Sequence, residues 1–244
     1  MPARPVEPEP SAWSMAYDET SPADLVAVGA DLAPGTLLAA YRRGLFPMGT
    51  GRGGRKPMGW WSPATRGVLL PGNLHVSRSL RRSRRAFTTS VDRDFAAVVR
   101  ACADPSRPGR WITRPMVAAY QRLHELGWAH SVEVWDHDGR LAGGLYGVSI
   151  GGFFAGESMF HLVTDAGKVA VWAAADRVLT GSGAGVFDVQ WCTPHLATLG
   201  VVEVPRARYL DLLHAALHAE PLEGFGEVPN ATGHAGPVCL NGSD

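Results

Sequence analysis

Three neighbouring stretches read as strands with a period of two: SVEVWD at Ser131–Asp136, LAGGLYGVS at Leu141–Ser149 and GFFAGESMF at Gly152–Phe160. Asp138-Gly139 and Ile150-Gly151 stand between them as tight turns, which makes the three a meander. Upstream the period is helical. Phe95, Val98, Val99 and Cys102 share one face of a helix over 92–103. Met116, Tyr120, Leu123 and Leu126 form the buried stripe of a second, Arg114–Leu126, with Pro115 near its start and Gly127 just past its end. Downstream an Ala-rich helix is predicted over Ala166–Leu179, then a Gly-rich release at 181–185 and a strand over Val186–Trp191. A last helix, Arg206–Leu217, follows Pro205. Antiparallel strands, helix, strand, helix is an α+β pattern, similar in order to the acetyltransferase-like (GNAT) fold. That analogy alone says little about function.

Towards the N-terminus the composition changes. Residues 1–22 are rich in Pro, Glu and Ser and read as a disordered or loosely attached leader. A compact unit runs from Pro22 to Ser62, with a helix over Pro34–Arg43 stopped by Gly44 and kept from resuming by Pro47. The Gly- and Arg-rich stretch 49–59 reads as a flexible loop ending at Trp60-Trp61-Ser62-Pro63. A short helix is expected after Ser77, which is placed as its N-cap.

Bulk properties exclude several classes. Lys plus Arg and Asp plus Glu both total 23, so a globally basic nucleic-acid binder is excluded and any polyanion must meet a local patch. The cysteines Cys102, Cys192 and Cys239 are scattered and odd in number, which argues against a disulfide framework. Cys192 and His195 form one C-x-x-H pair without the second pair that a tetrahedral zinc site needs, so no metal is expected. Nothing in the chain approaches the run of roughly 20 apolar residues of a membrane span, and the first ten residues lack a signal-peptide core. A reducing cytoplasm fits these features.

Three constellations could carry chemistry. In Ser77–Arg85, Arg78, Arg81, Arg82 and Arg85 fall at i, i+3, i+4 and i+7, on one face if the segment is helical. Like charges so close repel, and an approaching polyanion relieves them. A solvated surface is the bland reading. Tyr41, Phe46, Trp60, Trp61 and Trp111 flank turns rather than long apolar runs, as base-stacking aromatics do. Interface packing is the alternative for Trp60 and Trp61. Finally, Glu157 ends an apolar strand, and Asp188 and Gln190 share one face of another. Polar groups in such runs are costly unless partnered, so they form either a satisfied structural network or a site.

On these residues alone, three readings compete. Ser158, Asp188 and His195 occur in the order of a serine hydrolase, but Phe160 stands where a nucleophile elbow needs Gly. A CoA-dependent acyltransferase needs a Gly-rich pyrophosphate turn, and His161–Gly167 brings an acid and a single Gly. A non-catalytic RNA-binding module explains the arginines but not Glu157, Asp188 and Gln190.

Longer matches discriminate. GLFP at Gly44–Pro47, WWSP at Trp60–Pro63, WITR at Trp111–Arg114 and AYQRLHELG at Ala119–Gly127 resemble the bacterial leucyl/phenylalanyl-tRNA–protein transferases. So do HSVEVW at His130–Trp135, GGLYGV at Gly143–Val148, GESMF at Gly156–Phe160, DVQ at Asp188–Gln190 and Leu199-Gly200. The resemblance runs in one order from about Leu25 to Leu213.

It implies a small N-terminal domain over 23–63, a GNAT-like catalytic domain over 64–218 without CoA, and a tail over 219–244. It also implies transfer of Leu, Phe or Met from aminoacyl-tRNA to the N-terminal Arg or Lys of acceptor proteins, marking them for N-end rule degradation. No cofactor is expected, and a monomer is. By the same resemblance Asp188, Gln190 and Glu157 are the catalytic centre, and Tyr41, Trp111 and Tyr120 surround the tRNA 3′ adenosine. Arg78, Arg81, Arg82 and Arg85 meet the tRNA backbone, and Val171, Ala174 and Val178 line the amino-acid pocket. This chain departs from the family at Met48, where Trp is frequent, at Asp165–Lys168, at Ala174, where Phe is expected, and at Thr193-Pro194.

Overall fold

The computed structural model describes residues 4–107, 109–180, 184–222 and 224–225. It is an α+β structure with two sheets. The smaller contains β1 (Leu25–Val28), β2 (Phe46–Gly51) and β3 (Arg55–Trp61) in the order β1-β3-β2, with α1 (Pro34–Tyr41) inserted after β1. The larger contains β4 (Thr65–Leu69), β5 (Thr88–Val91), β6 (Ala129–Trp135), β7 (Leu141–Ile150), β8 (Phe153–His161), β9 (Val186–Gln190) and β10 (Val202–Pro205). Its order is β10-β4-β9-β8-β7-β6-β5.

The meander is β6-β7-β8, antiparallel throughout. Alternation along it separates two cores. Tyr146, Val148, Phe153 and Ala155 face one cluster with α3 (Phe95–Cys102) and α4 (Arg114–Glu125). Leu145 and Phe154 face the other, beneath α5 (Ala166–Thr180). Burial of these apolar faces is the main stabilising term. The first cluster also contains Leu37, Tyr41 and Trp60, so the small sheet and α1 pack into the same core as the large sheet.

Local signals account for several boundaries. Ser77 accepts from the Leu80 N–H at the start of α2 (Arg78–Ser83), the N-cap its position predicts. Gly44 takes φ +74°, and the Leu45 N–H returns to the Ala40 carbonyl, closing α1. Short α6 (Pro194–Ala197) and α7 (Arg206–Leu217) complete the helices described here.

Two expectations differ from what is observed. The stretch 49–59 is largely strand, because β2 and β3 pair as a hairpin from Phe46↔Trp61 to Gly51↔Arg55 and satisfy each other's backbone groups. Residues 4–22 carry no strand or helix, yet they are tied down. The Val6 N–H donates to Leu126 O, Arg42 grips Glu7 through both carboxylate oxygens, and Met15 is buried. Buried Arg206 donates to the carbonyls of Glu19, Ser21 and Ala23. The expected Gly-rich release at 181–185 and tail at 219–244 lie mostly outside the described residues.

Candidate active site

β8 and β9 run parallel and pair only at Phe153↔Val186, Phe154↔Phe187 and Ala155↔Asp188. Beyond that point β8 continues to His161 and β9 to Gln190, and a cleft of about 160 Å³ opens between them. Its walls are apolar: Leu145, Met159, Val171, Phe187, Val189 and Leu196. Glu157, Ser158 and Gln190 supply its polar groups. Gly156 is required here, since a Cβ would lie 2.6 Å from the Phe187 ring.

Asp188 is fully buried and completely engaged. It accepts from Arg66 Nε at 2.8 Å and Arg66 Nη2 at 2.6 Å, from Tyr209 Oη at 3.0 Å and from the Gln190 N–H at 2.9 Å. The register explains the reach. Val68 of β4 lies opposite Asp188, and Arg66, two residues away, projects from the same face. Arg66 in turn donates to Gly44 O at 3.1 Å and lies over the rings of Phe46 and Tyr209. Burial works against its charge, but Asp188 and then Tyr209 more than offset this and hold it above the usual arginine value. Gln190 sits at φ +60°, a backbone conformation that costs of order 1 kcal/mol and is held here by the Asp188 contact.

Glu157 is arranged differently. Its Oε2 accepts from Tyr120 Oη at 2.6 Å, and Tyr120 Oη lies 2.6 Å from Tyr41 Oη. Tyr120 has a single hydroxyl hydrogen and gives it to Glu157, so Tyr41 is the donor in the second bond. Burial and then the Glu157 charge push both phenols well above their ordinary range, which keeps them protonated. Burial pushes Glu157 itself up to about 7, against the lowering effect of the Tyr120 and Tyr41 hydrogen bonds. Glu157 Oε1 and Gln190 Nε2 are buried without a hydrogen-bond partner. Such orphans are uncommon, and a substrate group is one way to satisfy them.

The structure thus brings Glu157 and Gln190 to one cleft, while Asp188 is buried behind it. A bulge at Val189 sets Asp188 opposite Val68 and Gln190 opposite Gly67, so the two do not share the strand face expected of them. Val171 lines the cleft, whereas Ala174 and Val178 are completely buried in the core under the large sheet and are not among its lining residues. Tyr41 and Tyr120 are each 1% exposed, so as they stand neither offers a free ring face to a base. Trp111 is half-buried and packs against the first core cluster. Arg78, Arg81, Arg82 and Arg85 are exposed, and none forms an ion pair among the described residues. Arg85 falls in a 3-10 turn after α2, so the four do not share one α-helical face. Trp60 is a core residue, as the packing alternative expects. The hydrolase reading fails, because the Asp188 oxygens serve Arg66 and Tyr209 rather than His195.

Sequence reasoning missed Arg66 and Trp191. Trp191 follows Gln190 directly and packs edge-on against Phe46, with centroids 5.0 Å apart, and Trp61, at 6.2 Å. It brings the small sheet up to the cleft.

The family pattern described as "Leucyl/phenylalanyl-tRNA protein transferase" matches residues 68–214, and that described as its N-terminal domain matches 30–64. The chain belongs to this family. Among transferases carrying that name, the one from Alkalilimnicola ehrlichii is 49% identical over 218 residues, 87% of this chain and 81% of the relative. That from Anaeromyxobacter sp. (strain K) is 45% identical over 242 residues, 97% of each chain. A solved structure, "The structure of L-PGS from Bacillus licheniformis", aligns at 12% identity over 66% of this chain and 54% of that one, with a TM-score of 0.34, too low to carry an argument. Membership in the family makes the chain an aminoacyltransferase, with aminoacyl-tRNA as donor and a protein as acceptor. Among the described residues no group of His, Cys, Asp or Glu could hold a metal, and no helix is long and apolar enough to cross a membrane.

Proposed function

We propose that this chain transfers Leu, Phe or Met from aminoacyl-tRNA to the N-terminal Arg or Lys of acceptor proteins, as a cytoplasmic monomer whose products enter N-end rule degradation. The cleft between β8 and β9 is its transfer site. Residues 64–218 are read as an acetyltransferase-like catalytic domain and 23–63 as a small N-terminal domain seated on it. The observation that carries the reading is the pair of unpartnered polar atoms, Glu157 Oε1 and Gln190 Nε2, at the head of an apolar cleft.

An aminoacyl ester is already activated, so the work is orientation and proton removal. Orientation alone supplies effective molarities of roughly 10⁵–10⁸ M in favourable cases. The amino-acid side chain occupies the cleft and Trp111 carries the terminal adenine. Glu157, with a pKa of about 7, takes a proton from the acceptor ammonium. The freed amine attacks the ester carbonyl, a C–N bond forms, the C–O bond to ribose breaks, and the leaving oxygen keeps the second amine proton. Glu157 then returns its proton to solvent. Gln190 Nε2 donates towards the reacting carbonyl or its developing oxyanion. Asp188 acts through Gln190, whose N–H it holds. An apolar lining selects strongly against polar side chains and weakly among Leu, Met and Phe, since one methylene is worth only about 1–3 kcal/mol.

The test is incubation with radiolabelled Leu-tRNA and a protein beginning with Arg, without ATP or CoA. Label should enter the protein. Hydrolysis of simple esters that Ser158→Ala abolishes, with no label transferred, would overturn the reading.

A further inference from the structure

Beside the cleft, sharing Met159 as a wall, lies a second cavity of about 490 Å³. Arg107, His161, Lys168 and His195 line it, with Thr164 and Thr193 adding hydroxyls. Its charge is hardly offset. Among the described residues Arg107 donates to the carbonyls of Cys102, at 2.8 Å, and Met159, at 2.6 Å, and no carboxylate pairs with it. Asp165 is the one acid in the lining among the described residues, and it is already engaged. Its Oδ2 accepts from Ser83 Oγ at 2.7 Å, and its Oδ1 lies a loose 3.9 Å from Lys168 Nζ.

Ser83 is the last residue of α2, so the Ser83–Asp165 bond ties the arginine-bearing helix to the cavity's rim. Arg84 stacks over Trp172 of α5 beside it, at 4.4 Å from the ring. The basic surface of α2 therefore adjoins this cavity, and the cavity adjoins the amino-acid cleft.

We propose that this cavity binds a backbone phosphate of the single-stranded 3′ end of the donor tRNA, with Lys168 and His195 as its principal donors. The assignment rests on the transfer reaction proposed above and adds a subsite to it. The chemistry selects the ligand: an acceptor beginning with Arg or Lys is repelled by Arg107 and Lys168, whereas a phosphodiester offers each donor an oxygen. The geometry selects it too, because a strand leading from the α2 arginines to an ester held at Glu157 and Gln190 passes this cavity.

Three donors separate the possibilities: Leu-tRNA, a leucylated CCA trinucleotide, and 3′-O-leucyl-adenosine, which has no phosphate. The variant is Lys168→Gln with His195→Gln, both changes at accessible side chains. KM for the first two donors should rise about ten-fold, as expected when a charge-assisted bond is removed. The salt slope of log(1/KM) should flatten by about 0.7 for each phosphate no longer neutralised. Transfer from leucyl-adenosine should stay at the wild-type rate. An equal fall in transfer with all three donors, or no fall with any, overturns the proposal. So does a changed KM confined to acceptors carrying Glu after the N-terminal Arg, which would make the cavity a peptide subsite. Wild-type protein inactive with every donor would instead sink the transferase reading itself.

Discussion

Two buried polar clusters meet at the cleft and are built on opposite principles. Around Asp188, the carboxylate is saturated by Arg66, Tyr209 and the Gln190 N–H, and Arg66 is held further by Gly44 and two aromatic rings. Around Glu157, one oxygen is fixed by Tyr120 and the other is left unpartnered. The closed cluster keeps its charges because they are paired, and it sets geometry. The open one has its pKa raised by burial, which its single hydrogen-bonded oxygen only partly offsets, and it is free to exchange a proton. Both look alike in composition, so it is the unsatisfied atoms that distinguish site from scaffold.

The largest effect should come from breaking the open cluster chemically. Glu157→Gln keeps the Tyr120 hydrogen bond but cannot accept a proton, and kcat should fall about 10²–10⁴-fold. Its stability should change in the opposite sense. A carboxyl raised from 4.5 to about 7 holds more protons folded than unfolded, so wild-type stability declines as pH rises across that window. Urea titrations should show the variant free of this decline and more stable above pH 7, by up to about 3 kcal/mol. A less stable, fully active variant would contradict the distinction.

Breaking the closed cluster should show in the fold first. Arg66→Ala strands a buried carboxylate and should cost about 3–5 kcal/mol in the same titration. A change under about 1 kcal/mol, with activity intact, would mean that the pair sets nothing.

Gln190 belongs to both clusters, its backbone to the closed one and its side chain to the open one. Gln190→Ala leaves the backbone contact and should lower kcat about 10²–10³-fold with little change in melting temperature. The arginine surface lies outside the comparison and should show the smallest effect. Arg81→Ala with Arg82→Ala should flatten the salt dependence of tRNA binding without altering kcat, and an unchanged slope would make it a merely solvated surface.

How much of this is legible in sequence follows from how local each feature is. The meander, the cap at Ser77 and the stripe of α4 depend on residues a few positions apart, and periodicity finds them. Glu157, Asp188 and Gln190 are conspicuous because each is polar within an apolar strand. Arg66 is not, since its partner is 122 residues away and one arginine in a chain with many looks like surface. The β2–β3 hairpin hides for a related reason: its glycines read as loop, while its stability lies in backbone pairing that composition does not reveal. The leader is similar, held by Arg206 through carbonyls that any residue supplies. Ala174 and Val178 do lie on α5, but helical spacing gives a stripe and not its depth, and both sit below the cleft.

The central claim is that Glu157 accepts the proton, and the pH dependence of kcat tests it most directly when wild type is compared with Tyr120→Phe. Wild type should gain rate as pH rises through about 7. Tyr120 holds that value down through its hydrogen bond, so in Tyr120→Phe the inflection should move upward, while an inflection owed to the acceptor's own amine would stay where it is. An inflection at the same pH in both proteins would contradict the assignment.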